Sequence, residues 1–428
     1  MHRGVVALEE DDVAAVAADE GTGVPTEIDT VVEAVAEVDE SVADQEVVVD
    51  QIEEAGEVVE ALESLIDVMG LSVKNGGMDK HAAAAVSIAT QYMYSRVGMS
   101  KKAMPALESF GGTSTRVGAT QLAMEGFKDA VVKIWDAIIA QLKKFGAWIM
   151  GHMNKVFGTA ERLVKRADAI IKAADAGSAK KMEEKSFENK SLVKALYIGT
   201  AVPTDVKAAL GVVATLVKET ANKSVSDEDT DKIVSALESK EAVQNIKLDK
   251  VTPDSKFSPK FGTQPDGVAV SATEELPGGF VHMKRGPSKD EGCSGLGALK
   301  MFPRVKNAVV AIPESKVPST EKLKTLSMAE IEATAEVCKV IAEEIVQFRK
   351  TQTKLEERLK KAQKAAETAK KNENSTDEGE QEHAKAVRAA AQALPVYIIT
   401  PATSITQYGL KAAAAGLTYC EASLKQFK

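Results

Sequence analysis

The stretch "VVKIWDAIIAQLKKFGAWIMGHMNKVFGTAERLVKRADAI", residues 131–170, decides the fold. Positions 131, 134, 138, 142, 145, 149, 153, 156, 160, 163, 167 and 170 are Val, Ile, Ile, Leu, Phe, Ile, Met, Val, Ala, Leu, Ala and Ile. The stripe covers 39 residues in 11 steps, about 3.55 residues per step, which lies between the coiled-coil and straight-helix spacings and excludes a strand. A helix over 114–174 would be roughly 90 Å long at 1.5 Å per residue. Gly126, Gly146, Gly151 and Gly158 fall inside it. Each costs about 1 kcal/mol relative to Ala, so each either admits a close neighbour or marks a bend. Residues 128–172 carry nine basic and four acidic side chains.

On the N-terminal side, residues 79–104 read as a helix with Asp79 as its N-cap, and "SFGGTSTR" at 109–116 breaks the chain. On the C-terminal side, helices are expected near 189–222, interrupted around Pro203, and over 228–243. Residues 246–318 then hold 8 of the 13 prolines. There "GVAVSATEELPGGFVHMKRG" at 267–286 reads as two strands about a Pro-Gly-Gly turn, and "KNAVVAIP" at 306–313 as a third. From Ser319 a helical face returns, through Ile331, Ala335, Cys338, Ile341, Ile345, Phe348, Leu355 and Leu359. A loop is expected at 370–381, then a helix from about 382 that "PVYIITP" at 395–401 interrupts.

The charge is divided along the chain. Up to Asp67 there are 21 acidic residues and one basic residue, Arg3; the rest carries 53 basic and 42 acidic residues. Residues 1–50 are rich in Val, Ala, Glu and Asp, a composition that predicts disorder or weak helicity. From Ile52 a helical face appears, with Val58, Val59, Leu62, Leu65, Ile66 and Met69, and "KNGG" at 74–77 ends it. The expected fold class is mainly α: a long-helix bundle with a small β-containing insertion and a disordered acidic N-terminal leader. The expected divisions are a leader over 1–70, a long-helix domain over 71–245, the Pro/Gly-rich insertion over 246–318 and a helical hairpin tail over 319–428.

Catalytic signatures are missing. The chain has no HExxH, GxSxG, GxxxxGK[ST] or GxGxxG. "GCSGLG" at 292–297 lacks the Lys-Ser/Thr of a phosphate loop and reads as a flexible loop. Cys293, Cys338 and Cys420 are far apart and form no CxxC pair, so neither a zinc ribbon nor a disulfide framework is indicated. The five histidines are scattered, and His152 has no His or carboxylate at i±3 or i±4. No metal or other cofactor is expected. The most apolar window, 134–153, is broken by Asp136, Lys143 and Lys144, too charged for a membrane span.

Residues 346–371 carry nine basic and three acidic side chains. Arg349, Lys350, Lys354, Arg358, Lys360 and Lys361 are candidates for a face that meets double-stranded DNA weakly and without reading sequence, because cations neutralise phosphates whatever the bases are. Aromatic residues for stacking on single strands are not interleaved with them.

The tetrapeptide "ALES" occurs at 61–64, 106–109 and 236–239. The order is an acidic leader, "ALESLIDVMG", an Ala-rich helix ending "PALESFGG", a long helix from "RVGATQLAMEG", "ELPGG" in a β insertion, and a tail ending "SLKQFK". This layout resembles the internal head proteins of giant tailed bacteriophages. The resemblance implies a non-enzymatic prohead core component, made in the host cytoplasm as a precursor. It further implies a cut by the phage maturation protease after a small-x-Glu motif, and retention in the capsid with other head proteins and the packaged DNA. Mapped here, the candidate cuts follow Glu63, Glu20, Glu57 or Glu108. Charge favours Glu63, where the acidic run ends; Glu20, followed by "GTG", is the more accessible. Two rivals come from other classes: a membrane-active helical protein of the pore-forming type, and an enzyme using Cys293.

Overall fold

The apolar stripe of residues 131–170 is buried from end to end. The computed structural model describes residues 51–52, 54–98, 116–225, 228–319, 322–369 and 378–428. The protein is mainly α. The first helix, α1, covers 54–74. It is followed by α2 (Lys80–Arg96) and α3 (Arg116–Ala176), the latter 61 residues long. Then come β1 (Ser186–Glu188), α4 (Lys190–Leu196), α5 (Val206–Val225), α6 (Glu228–Glu238), β2 (Val268–Ala272) and β3 (Phe280–Pro287). The chain closes with α7 (Gly295–Met301), β4 (Lys306–Ala311), β5 (Lys322–Lys324), α8 (Met328–Phe348), α9 (Gln352–Ala369) and α10 (Glu378–Leu424).

The frame is built on α3. Helices α8 and α9, joined by a 3-10 turn at Arg349–Thr351, run antiparallel along it. Lys339 meets Asp168 at 2.7 Å, Arg349 meets Glu161 at 2.7 Å, the Gln363 amide donates to the Leu142 carbonyl at 3.2 Å, and the Trp135 indole donates to the Ala366 carbonyl at 3.4 Å. Helix α10 runs parallel to α3, with Gln407 against His152 at 2.6 Å and Glu421 against Arg166 at 2.7 Å. Full burial of a Leu, Ile or Phe contributes roughly 1.5–3 kcal/mol, so the buried stripe dominates over capping and surface pairs. The start of α8 is fixed locally: Ser327 caps it, accepting from the Glu330 amide, while the Glu330 carboxylate accepts from the Ser327 amide.

The expected break at 395–401 does not occur. Helix α10 continues for 47 residues with Pro395 and Pro401 inside it. Each proline removes a backbone donor and crowds the preceding turn, at about 3 kcal/mol. Ala390, Ala391, Leu394, Ile399, Ala402 and Ile405 are buried around them, and that packing outweighs the cost. Helix α10 also approaches its neighbours closely. A Cβ at Gly416 would lie 2.5 Å from Cys338 Sγ and 2.7 Å from Leu210 Cδ1.

The three-stranded sheet has the order β2-β3-β4 and is antiparallel, with Val270 opposite Arg285 and Met283 opposite Ala308. Its Pro277-Gly278-Gly279 turn needs glycine at 279, where φ is +75° and a Cβ would stand 2.2 Å from Tyr197 Oη. The sheet docks on α10 through Phe280 against Tyr408, whose hydroxyl donates to the Pro277 carbonyl at 2.9 Å, and the 3-10 turn that leads into β4 docks through Phe302 against Tyr397. A second sheet was not expected: β1 pairs with β5, Phe187 opposite Leu323, and ties together the two ends of the segment that carries α4 to α7 and the three-stranded sheet.

Helix α1 lies inside the span expected as leader, yet it belongs to the core: Ile52 before it, and Val58, Leu62 and Met69 within it, are buried. The expected disorder over residues 1–50 lies outside the described residues.

Candidate cleavage segment and basic faces

Four acidic side chains of α1 meet three basic ones. Arg96, in the last turn of α2, holds Glu57 at 2.6 Å and Glu54 at 2.9 Å. On α10, Lys385 pairs with Asp67 and Arg388 pairs with Glu63. The last pair is withdrawn from water, with Glu63 11% and Arg388 10% exposed. Gln392 donates to the Ile52 carbonyl and packs over Gly56, where a Cβ would clash. Two of the candidate cut sites, Glu57 and Glu63, therefore lie within a folded, packed helix. Glu20 and Glu108 lie outside the described residues.

The α9 candidates separate into two groups. Lys350, Lys354, Lys360 and Lys361 are exposed. Arg349 pairs with Glu161 and lies 5.1 Å over the Phe157 ring. Arg358 does not share the exposed face: it is 9% exposed, pairs with Asp231 at 3.5 Å, and lines a cavity of about 120 Å³ with His282, Asn307 and Tyr397. It sits on the same side of α9 as Leu355 and Leu359, which the sequence already marked as apolar.

The basic stretch of α3 also divides. Lys143 and Arg166 are bound to Glu367 and Glu421 at the edges where α9 and α10 approach. Lys133, Lys144, Lys155, Arg162, Lys165 and Lys172 are exposed. The sequence reading counted these charges without separating the two groups; removing the positions that follow the apolar stripe would have done so.

The remaining candidates lack catalytic geometry. The Cys293 thiol donates to the Lys289 carbonyl at 3.4 Å, and burial, then the Asp290 carboxylate, raises its pKa, which disfavours the thiolate nucleophile. "GCSGLG", expected as a flexible loop, instead passes from a 3-10 turn at Asp290–Gly292 into α7, and a Cβ at Gly297 would stand 1.9 Å from the Glu291 carbonyl oxygen. His152 is buried, stacked on Trp148 with ring centroids 5.2 Å apart, and desolvation, then Lys155, lowers its pKa to about 4. Among the described residues, no group of His, Cys, Asp and Glu could hold a metal ion.

The chain matches the phiKZ-like phage internal head proteins over residues 27–422. It belongs to that family. Membership places this internal head protein inside the phage particle, in the company of other capsid components. It accords with a long-helix frame. Comparison with curated proteins and with solved structures finds no match. No helix among the described residues is long and apolar enough to cross a membrane. The apolar window at 134–153 is spent on the bundle core, with Ile134, Ile138, Leu142 and Ile149 buried.

Proposed function

We propose that this internal head protein is a non-enzymatic structural component, assembled in the host cytoplasm as a precursor. In this reading the phage maturation protease shortens its acidic N-terminus after a small-x-Glu motif, and the product stays in the capsid with the genome. The observation that carries the reading is the division of charge: 21 acidic residues against one basic up to Asp67, and a basic excess beyond. An acidic segment repels DNA and lowers its affinity for the body; a cut after Glu20 lessens that repulsion by removing six of the 21 acidic residues.

Of the candidate cuts, Glu20 is favoured over Glu57 and Glu63. The support is the packing of α1, whose carboxylates hold Arg96, Lys385 and Arg388. A protease needs an extended substrate, so cutting at Glu63 requires α1 to unfold first. Glu108 would divide α2 from α3. The retained body then meets DNA through exposed cations, Lys350, Lys354, Lys360 and Lys361 among the candidates, weakly and without sequence preference. Intact mass and N-terminal peptide mapping of the protein recovered from mature heads test the cut. The expected N-terminus is Gly21; an uncut chain, or one beginning at Ser64, contradicts this reading.

A further inference from the structure

Six cations stand along the side of α3 that its neighbours leave open. Lys133, Lys144, Lys155, Arg162, Lys165 and Lys172 are exposed, and among the described residues none of them is in an ion pair. The paired charges of α3 lie at its edges: Lys143 with Glu367, Glu161 with Arg349, Asp168 with Lys339. At about 100° per residue, Lys133, Lys144, Lys155 and Arg162 fall within roughly 40° of one another around the helix. Lys133 and Lys155 are about 33 Å apart along it, close to one turn of duplex DNA, about 34–36 Å.

Between these cations the surface is low. Ala140, Ala147 and Gly151 are exposed, and Gly158 is half-buried. A Cβ at Gly151 or Gly158 meets nothing within 4 Å, so neither glycine serves a contact within the chain, although each costs about 1 kcal/mol in a helix. Between Lys133 and Lys172 the face has no exposed aromatic or large aliphatic anchor of the kind that dominates protein–protein contacts; the exposed Leu122 lies on the same side about three turns before Lys133. Its chemistry suits a polyanion that can come close to the helix backbone.

We propose that this face of α3 is the track on which the protein holds double-stranded DNA, the helix lying along the duplex with Lys133 and Lys155 on phosphates about one turn apart. This rests on the reading of the chain as a head protein retained with the genome, and it moves the principal contact from α9 to α3. The charges explain the affinity, and the small residues between them let the phosphate backbone reach lysines at several turns together.

The test uses the full-length protein, a 30-base-pair duplex and fluorescence anisotropy over a series of salt concentrations. One variant carries Lys144→Gln, Lys155→Gln, Arg162→Gln and Lys165→Gln; a second carries Lys350→Gln, Lys354→Gln, Lys360→Gln and Lys361→Gln. Circular dichroism confirms that both fold. The α3 variant is expected to lose at least tenfold in affinity at low salt, and the slope of log K against log salt to become shallower by up to about 3.6, four contacts at roughly 0.9 each. The α9 variant should stay within threefold of wild type. A third variant, Gly151→Leu with Gly158→Leu, keeps every charge and is expected to weaken binding by blocking the approach. If wild type binds and the α3 variant binds equally, or the glycine variant is unchanged, the α3 track is overturned while the DNA reading stands. If neither full-length wild type nor the product recovered from mature heads binds the duplex at the lowest salt, both fail. Loss of self-association by the α3 variant, with DNA binding intact, would assign the face to a second copy and overturn the proposal.

Discussion

The Glu63 carboxylate pairs with the Arg388 guanidinium across the contact between α1 and α10, and both side chains are about nine-tenths removed from solvent. Removing one partner of such a pair strands the other charge, which costs about 3–5 kcal/mol for a fully buried pair. Arg388→Ala is therefore expected to destabilise the docking of α1 by about 3 kcal/mol. Cleavage by a glutamate-specific protease within 54–74 should become faster. Peptide mapping of timed digests checks this; an unchanged digestion rate would show that the pair does not hold the helix down.

A buried, neutral His152 makes stability depend on pH. Its pKa is lowered to about 4, from an ordinary value near 6.5, by desolvation and then by Lys155. The folded state binds the proton less readily than the unfolded chain, so the contribution is complete above about 6.5 and is lost as pH falls toward 4. At about 1.36 kcal/mol per unit, the loss is on the order of 3 kcal/mol. His152→Leu should be less stable at pH 7, because it leaves Gln407 without its ring partner, but should lose less on acidification. Urea midpoints at pH 7, 5.5 and 4.5 give the comparison, and parallel curves for the two proteins would refute the assignment.

Two glycines in long helices are expected to respond oppositely to alanine. Gly→Ala in a helix gains about 1 kcal/mol of propensity. At Gly151, where a Cβ meets nothing, that gain stands alone and the thermal midpoint should rise. At Gly416 the Cβ would press on Cys338 Sγ at 2.5 Å and Leu210 Cδ1 at 2.7 Å. Overpacking costs about 1–3 kcal/mol and wins, so Gly416→Ala should melt lower.

Asp254 organises the start of the insertion. Its carboxylate accepts from the Phe257 amide at 2.5 Å, the Ala272 amide at 2.9 Å and the Ser258 hydroxyl at 2.8 Å. Burial raises its pKa, but these hydrogen bonds outweigh burial and hold it at about 2. Asp254→Ala should raise amide exchange at Phe257 and Ala272 while leaving α3 and α8 protected. Because the carboxylate stays ionised to about pH 2, the wild-type insertion should keep its protection as pH falls from 7 to 4; early loss there would count against the network.

Much of the frame was legible in the sequence because a period of 3.55 residues over 131–170 has one physical solution, a helix with a buried stripe. The face from Ile331 to Leu359 and the strands about Pro277-Gly278-Gly279 were legible for the same kind of local reason. Pro395 and Pro401 misled, since local cost predicts a break and only tertiary burial of α10 overrides it. The β1–β5 pair joins residues more than a hundred apart through three-residue strands, too short to leave a pattern. Of the charged candidates, Arg358 was read as surface because composition counts a charge without its direction, and only the partner Asp231 and the flanking Leu355 and Leu359 show which way it turns. The pairing of Glu63 with Arg388 spans the chain and had no signal in either segment.

The joint between α8 and α9 lies at Arg349–Thr351, opposite Glu161 of α3. The prolines of α10 fall elsewhere along the frame, N-terminal to the contact of Gln407 with His152. Through both places α3 continues unbroken from Arg116 to Ala176. The discontinuities are staggered like the ends of overlapped planks, so no transverse plane offers a common fold line. Under compression by tightly packed surroundings, such a staff resists buckling as one member, and it transmits a push at one end to the other with little lost in bending.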